Sequence, residues 1–258
     1  MNNISFVGSG NVAYHLSKAL KSVGCNIHSI SSKNNSNAKR LAETVDAEVC
    51  GLTEIDNTID LLIVAVSDDA IIEVLTEIPE GINNIVHTSG ALSLSVFNNK
   101  FKHFGVLYPI QSFNKDSKLD ISIIPFLVEA SDKEFEDKLK TMALRLSRRV
   151  EIMDSESRKY LHLAAVFANN FVNLMATEAY GILENKNIDG SLIRPLMLET
   201  ILRLENNHPK DMQTGPAKRK DLEVLKKQEE LLKSNAKLQS LYRQLSQQIM
   251  QKINGSEL

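Results

Sequence analysis

The hexapeptide Gly8-Ser9-Gly10-Asn11-Val12-Ala13 follows an apolar run at 4–7 and opens a segment of helical period, and this placement constrains the chain more than any other feature. A strand that ends in such a loop has to turn sharply into a helix. Gly8 permits the tight turn, Gly10 lets a backbone approach a pyrophosphate, and Ala13 stands where helix and strand must pack closely. An anionic oxygen at the helix start would meet free N–H groups and the positive end of the helix dipole. Val12, Leu16, Ala19, Leu20 and Val23 then repeat at helical spacing, Gly24 supplies a stop, and the run 26–30 returns as a second strand. The unit reads as βαβ, with the loop as a dinucleotide site. The bland alternative is a tight turn that holds no ligand.

The same alternation continues. Further β-rich apolar runs at 61–66, 84–87, 105–107, 125–128 and 150–153 are separated by segments of helical period, the pattern of a parallel sheet wrapped by helices. The run 61–66 is apolar without alternation, as in a central strand covered on both faces. Ser67-Asp68-Asp69 can cap the next helix, which buries Ile71, Ile72, Val74 and Leu75. After Met153 strand signals vanish. Residues 154–184 read as one long helix buried on several sides, a second helical run covers 190–206, and the charged stretch 218–252 reads as one or two amphipathic helices rather than a coiled coil. The expected architecture is α/β: a Rossmann-type, doubly wound, mostly parallel sheet over 1–153, followed by an all-α domain over 154–258.

Composition excludes several classes. The 258 residues are 43% hydrophobic and 24% charged, a globular profile and neither a disordered nor a collagenous one. Thirty basic residues against 32 acidic ones, with no Trp and 5% aromatics, leave no electrostatic footprint or stacking platform for nucleic acid. No stretch approaches the ~20 apolar residues that cross a bilayer. The start Met1-Asn2-Asn3-Ile4-Ser5 lacks the features of a secretion signal, so a cytoplasmic location is expected. Cys25 and Cys50 have no metal-ligand spacing, so no metal is expected and both read as buried, reduced thiols.

Cofactor choice is read at the end of the second strand. A carboxylate that accepts from ribose hydroxyls is common there in NAD enzymes, but Ile30-Ser31-Ser32-Lys33-Asn34 offers none, and no acid occurs before Glu43. Ser31, Ser32 and Lys33 suit a 2′-phosphate, with Arg40 a possible second cation, which favours NADP over NAD. The alternative is that Lys33, Lys39 and Arg40 form a solvated face. Gly8, Ser9, Gly10, Asn11 and Val12, with Val66 and Ser67 at the end of the 61–66 run, complete the expected cofactor contacts.

These features, together with His87-Thr88-Ser89-Gly90-Ala91, Leu107-Tyr108-Pro109-Ile110-Gln111-Ser112-Phe113, the segment 162–170 and Thr214-Gly215-Pro216-Ala217-Lys218-Arg219-Lys220-Asp221, resemble a bacterial group. It is the group of Rossmann-like proteins carrying the C-terminal domain DUF2520, relatives of the F420-dependent NADP oxidoreductase and pyrroline-5-carboxylate reductase superfamily. The resemblance spans nearly the whole chain. It implies an NADP-binding domain, a helical domain like that of 6-phosphogluconate dehydrogenases and a homodimer joined through the helical domains, but it brings no substrate. Reduced F420 as hydride donor is suggested by this kinship only; no separate deazaflavin motif is present.

Ligands of open α/β sheets sit beyond the C-terminal strand ends. There His87 is a residue type whose unperturbed pKa suits proton transfer, Ser89 and Gly90 could receive a carboxylate or carbonyl, and Gln111 adds an amide beside the Tyr108 phenol. The alternatives are a histidine that holds the Ser89 loop in shape and a helix-capping Ser89. His162 and Asn169, seven residues apart, can share a helical face, and Asn169 and Asn170 need partners if the helix middle is buried. Related β-hydroxyacid dehydrogenases place a Lys four residues before an Asn on the corresponding helix; here Ala165 and Val166 stand four residues before Asn169 and Asn170. His87 or His162, or water, would have to deliver the proton. Arg219 in the segment 215–221 could receive an anionic substrate, or pair with Asp221 at a helix start. The expected function is an NADP(H)-dependent oxidoreductase acting on a small carbonyl, hydroxy or imine compound bound between the domains, with His87, His162 and Asn169 catalytic and Ser89, Gly90, Gln111, Asn170 and Arg219 on the substrate. The rival is a non-catalytic NADP-binding regulatory or structural protein.

Overall fold

The computed structural model describes residues 1–253 and places eight strands in one sheet, in the order β3-β2-β1-β4-β5-β6-β7-β8. The strands are β1 (Asn3–Val7), β2 (Asn26–Ser31), β3 (Glu48–Val49), β4 (Leu61–Val64), β5 (Asn84–His87), β6 (His103–Pro109), β7 (Phe126–Ala130) and β8 (Val150–Ile152). Helices α1 (Asn11–Ser22), α2 (Asn35–Val45), α3 (Asp68–Glu77) and α4 (Lys133–Leu144) connect them. Strands β1 to β6 pair in parallel; β7 runs antiparallel to β6, and β8 parallel to β7. The reversal at β7 follows from the connection 110–125, which carries only a single 3-10 turn and so lacks the helix of a parallel crossover.

The uninterrupted apolar β4 does what its sequence predicts. Leu61 and Ile63 enter one core with Ile4, Phe6, Leu16 and Leu20, while Leu62 and Val64 enter the other with Val74, Leu75 and Ile85. Strand order reverses between β1 and β4, so a crevice opens beyond the C-terminal ends of these two neighbours. Differences from the sequence reading are local. Val66 lies beyond β4, because only Ala65 continues the pairing, its N–H bonding Val7 O at 2.7 Å. The edge strand β3 escapes a pattern reading, since its two residues are both exposed and too few to show a period.

Strands cease at Ile152 and helices follow: α5 (Ser155–Ala165), a π-helical segment Val166–Phe171, α6 (Val172–Glu184), α7 (Arg194–Arg203), α8 (Pro216–Arg219), α9 (Leu222–Leu231) and α10 (Ala236–Ile253). Two compact units result, Met1–Phe171 and Val172–Leu258. The sheet unit thus runs past residue 153, and polar bonds explain why α5 stays with it. Arg158, fully buried, forms an ion pair with Glu129 of β7 and donates to Leu92 O. Ser155 Oγ donates to Glu129 Oε2 at 2.7 Å and accepts from Leu94 N at 2.9 Å.

The expectation of one long helix buried on several sides needs correction. The π-helical turn interrupts it, and α6 contains no buried residue; Phe167 is 62% exposed and Leu174 44%. An apolar helix face predicts that something covers it, not that the same chain does. In the second unit α8, α9 and α10 pack around Ala217 and Leu225, and Arg243 of α10 pairs with Glu229 of α9. Among the described residues no helix is long and apolar enough to cross a membrane.

Candidate functional site

The two loop glycines are held by different causes. Gly8 has φ +113°, and a Cβ on it would lie 2.2 Å from Ala65 O, so the fold itself demands glycine where β1 passes β4. Gly10 caps α1 with φ −77°, a conformation open to any residue, and a Cβ there would meet nothing within 4 Å. Neither backbone nor packing explains Gly10. It borders a cavity of about 780 Å³, and α1 starts without a side-chain cap, which leaves its first N–H groups pointing to this side. Ala13 is fully buried, the close helix–strand contact expected of it.

That cavity is lined by Gly8, Ser9, Gly10, Asn11 and Val12 from the loop, by Ser31, Ser32 and Lys33 from the end of β2, and by Val66 and Ser67 beyond β4. Gln111 lines it as well. Its size and its mixture of apolar walls with converging donors fit a dinucleotide. Ser9 Oγ donates to Ser32 Oγ at 2.9 Å and thereby ties the glycine loop to the β2 end. Lys33 Nζ bonds Glu73 Oε1 of α3 at 2.8 Å, and this contact raises the lysine pKa. Arg40 is exposed on α2 and does not line the cavity, so it falls to the solvated-face reading.

Some lining residues were not legible in the sequence. Cys50, Gly51 and Leu52 follow the unread edge strand β3, and Val74 and Glu77 come from the cavity-facing side of α3. Cys50 is half-buried against the cavity, not a core thiol. Thr88 and Phe113 belong to segments that the sequence did single out.

The histidines part company. His87 is fully buried, stacks on Phe97 at 5.5 Å and accepts at Nδ1 from Ser89 N at 3.1 Å. Its Nε2 has no partner of hydrogen-bond geometry. Burial and then the Arg158 guanidinium push its pKa down to about 3, with the Ser93 backbone offsetting part of this. The expectation of a catalytic His87 is therefore corrected: it is a neutral ring without access to the cavity, and it shapes the Ser89 turn. Ser89 Oγ accepts from Ala91 N at 3.1 Å and Leu92 N at 3.0 Å, the capping alternative.

His162 on α5 instead meets Tyr108 of β6, Nδ1 to Oη at 3.0 Å. Gly90 is the reason they meet. A Cβ on Gly90 would lie 2.7 Å from both His162 Nδ1 and Tyr108 Cζ, so glycine here is a steric requirement of the pair. Burial, then the charge of Asp68, raises the Tyr108 pKa and keeps the phenol protonated. Neither Tyr108 nor His162 lines the cavity; Thr88 of its wall is two residues from Gly90, against which the pair packs.

The remaining expected residues stand apart. Asn169 and Asn170 are exposed in the π-helical segment, bonded only to each other at 3.5 Å, so the supposed burial that would demand partners is absent. The wide π turn also changes the phase, and seven residues no longer equal two α-turns between His162 and Asn169. Arg219 is exposed at the end of α8 in the second unit; it does not pair with Asp221, which caps α9 through Val224 N at 3.2 Å. Among the described residues no group of His, Cys, Asp and Glu could hold a metal ion.

Parallel topology, glycine turn and crevice at the strand-order reversal define a Rossmann-type protein with a dinucleotide-shaped site and a helical C-terminal region. The family described as NADP oxidoreductase, coenzyme F420-dependent, matches residues 3–87, and the domain of unknown function DUF2520 matches 124–249. The chain belongs to the family that joins these two domains. A protein of Bacteroides fragilis, provisionally described as an NADP oxidoreductase, is 38% identical over 97% of this chain and 98% of its own, with a TM-score of 0.92. Two more distant structures share the fold. A reductive aminase of Aspergillus terreus in complex with NADPH is 12% identical, covering 100% of this chain and 96% of its own at a TM-score of 0.72. The pyrroline-5-carboxylate reductase of Streptococcus pyogenes is 13% identical, covering 96% and 98% at 0.65. No curated protein matches the chain.

Proposed function

We propose that this protein is an NADP(H)-dependent oxidoreductase acting on a small carbonyl, hydroxy or imine compound. One observation carries the reading: Gly10 borders the cavity with neither a conformational nor a packing reason to be glycine, so the space beside it is kept for something outside the chain. The 38% identical Bacteroides fragilis protein, described as an NADP oxidoreductase, supports the cofactor class. When bound, the nicotinamide supplies or accepts the hydride. The chain's part is to hold the pyrophosphate at residues 8–12 and a 2′-phosphate at Ser31, Ser32 and Lys33, and to support the nicotinamide end along Val66, Ser67 and Thr88. Proton delivery falls to the Tyr108 Oη, backed by His162. Substrate contact is assigned to Gln111, which lines the cavity, while Ser89 and Gly90 shape the turn beside Thr88. F420 receives no separate support, since the match to that family lies within the dinucleotide-binding half.

A second copy of the chain is the partner this reading calls for. Helices α6 and α7 bury no residue although they carry Leu174, Ile182, Leu196, Leu198, Ile201 and Leu202. Exposed apolar side chains grouped on two helices mark an interaction surface, and a second copy would cover them symmetrically.

The test is calorimetric titration of nucleotide-free protein with NADPH, NADH and NADP, alongside Gly10→Glu. Wild type should bind the phosphorylated cofactors preferentially. The variant should show no heat of binding and an unchanged melting temperature. Binding without turnover on any carbonyl or imine compound would favour the non-catalytic reading; normal binding by Gly10→Glu would sink the loop assignment.

A further inference from the structure

The segment after β6 carries a feature that neither the glycine-loop motif nor the family match assigns. Residues 113–115 are fastened to the glycine loop and the first turns of α1 by three hydrogen bonds. Asn11 Nδ2 donates to Phe113 O at 2.8 Å, His15 Nε2 bonds Asn114 O at 2.8 Å, and Lys115 Nζ donates to Ser9 O at 3.0 Å. Phe113 lies 5.4 Å from the His15 ring, and the Lys115 ammonium is 6.0 Å from the Tyr14 ring centroid. The half-buried Lys115 is thereby held against the loop that would cradle a pyrophosphate.

Charge makes this placement consequential. Lys33 is the cation on the cavity wall, and it is paired with Glu73 while Glu77 lines the same wall. Among the described residues no carboxylate forms an ion pair with Lys115. An ammonium has three donors, and Ser9 O occupies one. Lys115 does not itself line the cavity but is bonded to Ser9, which does, so its ammonium could add a further cation for a polyanion entering a wall with one paired lysine and an acid.

We propose that Lys115 is the counter-cation of the bound dinucleotide's pyrophosphate, and that the bonds from Asn11 and His15 hold its loop in place for this. The proposal rests on the NADP(H) reading above. Calorimetry with NADPH and with adenosine 2′-monophosphate, which lacks the pyrophosphate, tests it on wild type, Lys115→Arg, Lys115→Met and Lys115→Gln. Loss of one close, partly shielded charge contact should weaken NADPH by about tenfold in Lys115→Met and flatten the salt dependence of binding. Adenosine 2′-monophosphate should bind all four proteins alike, and Lys115→Arg should stay near wild type. Lys115→Gln keeps a donor for Ser9 O without the charge and should lose affinity as Met does. Wild-type affinity in Lys115→Gln, or equal losses for both nucleotides, would show an anchor for the loop and overturn the proposal. Tight NADPH binding by wild type and Lys115→Met alike overturns it while leaving the cofactor reading intact, whereas absence of NADPH binding to wild type removes both.

Discussion

At the scale of single residues, His87 shows how burial reassigns a group that looks catalytic. Its folded pKa of about 3 lies far below the ordinary 6.5. As pH falls below the ordinary value, the unfolded chain takes up a proton that the folded protein refuses until about 3. Stability at this position is therefore present above the ordinary value and lost towards the lower one, at up to ~1.4 kcal/mol per pH unit. His87→Asn keeps an acceptor for Ser89 N–H without titrating, so its stability should vary less with pH between about 6 and about 4. Urea unfolding at several pH values checks this, and parallel curves for variant and wild type would contradict the burial argument. Carboxylates such as Asp132, lowered to about 2 chiefly by His103, lose their contribution further into the acid range and do not obscure the comparison.

Between elements, the Glu129–Arg158 pair decides where α5 sits. Arg158 is fully buried and the Glu129 side chain is 16% exposed, so removing one partner strands the other charge in a poorly solvated place. Arg158→Met should destabilise the first unit by about 3–5 kcal/mol. Glu129→Gln with Arg158→Met should cost less than the sum of the two single changes. Denaturant titration of the three variants measures the coupling; additive losses would mean that the two side chains act independently. The same contact serves the site, since α5 brings His162 to Tyr108. None of this was legible beforehand. Glu129 and Arg158 are 29 residues apart, and no local period links a carboxylate on a late strand with an arginine in the first turn of a helix.

For the whole molecule, the exposed faces of α6 and α7 set the expectation. With side chains such as Leu196 at 68% and Leu198 at 59% exposure, we expect a dimer at micromolar concentrations, which Leu196→Glu with Ile201→Glu should shift to monomers. Sedimentation velocity decides; a monomeric wild type would leave these faces without the proposed partner. The sequence reading of a helix buried on several sides was in one respect informative: the apolar positions are real, and the single chain leaves them in solvent.

Local patterns alone were enough for the βαβ start, the central β4, the tight turn at Gly8 and part of the cavity lining, residues 8–12, 31–33 and 66–67, because each is set by neighbours within a few positions. The glycine loop must follow β1, and the apolar run must cross the core. Tertiary structure alone decided which histidine is buried and which meets Tyr108, why Gly90 is glycine, where Lys115 points and that Asn169 and Asn170 stand free of a core. Those outcomes depend on desolvation and on contacts between residues distant along the chain, such as Tyr108 with His162 and Ser9 with Lys115. Periodicity reports that a face is apolar or a loop tight; it carries no term for the dielectric or the partner that the fold brings to it.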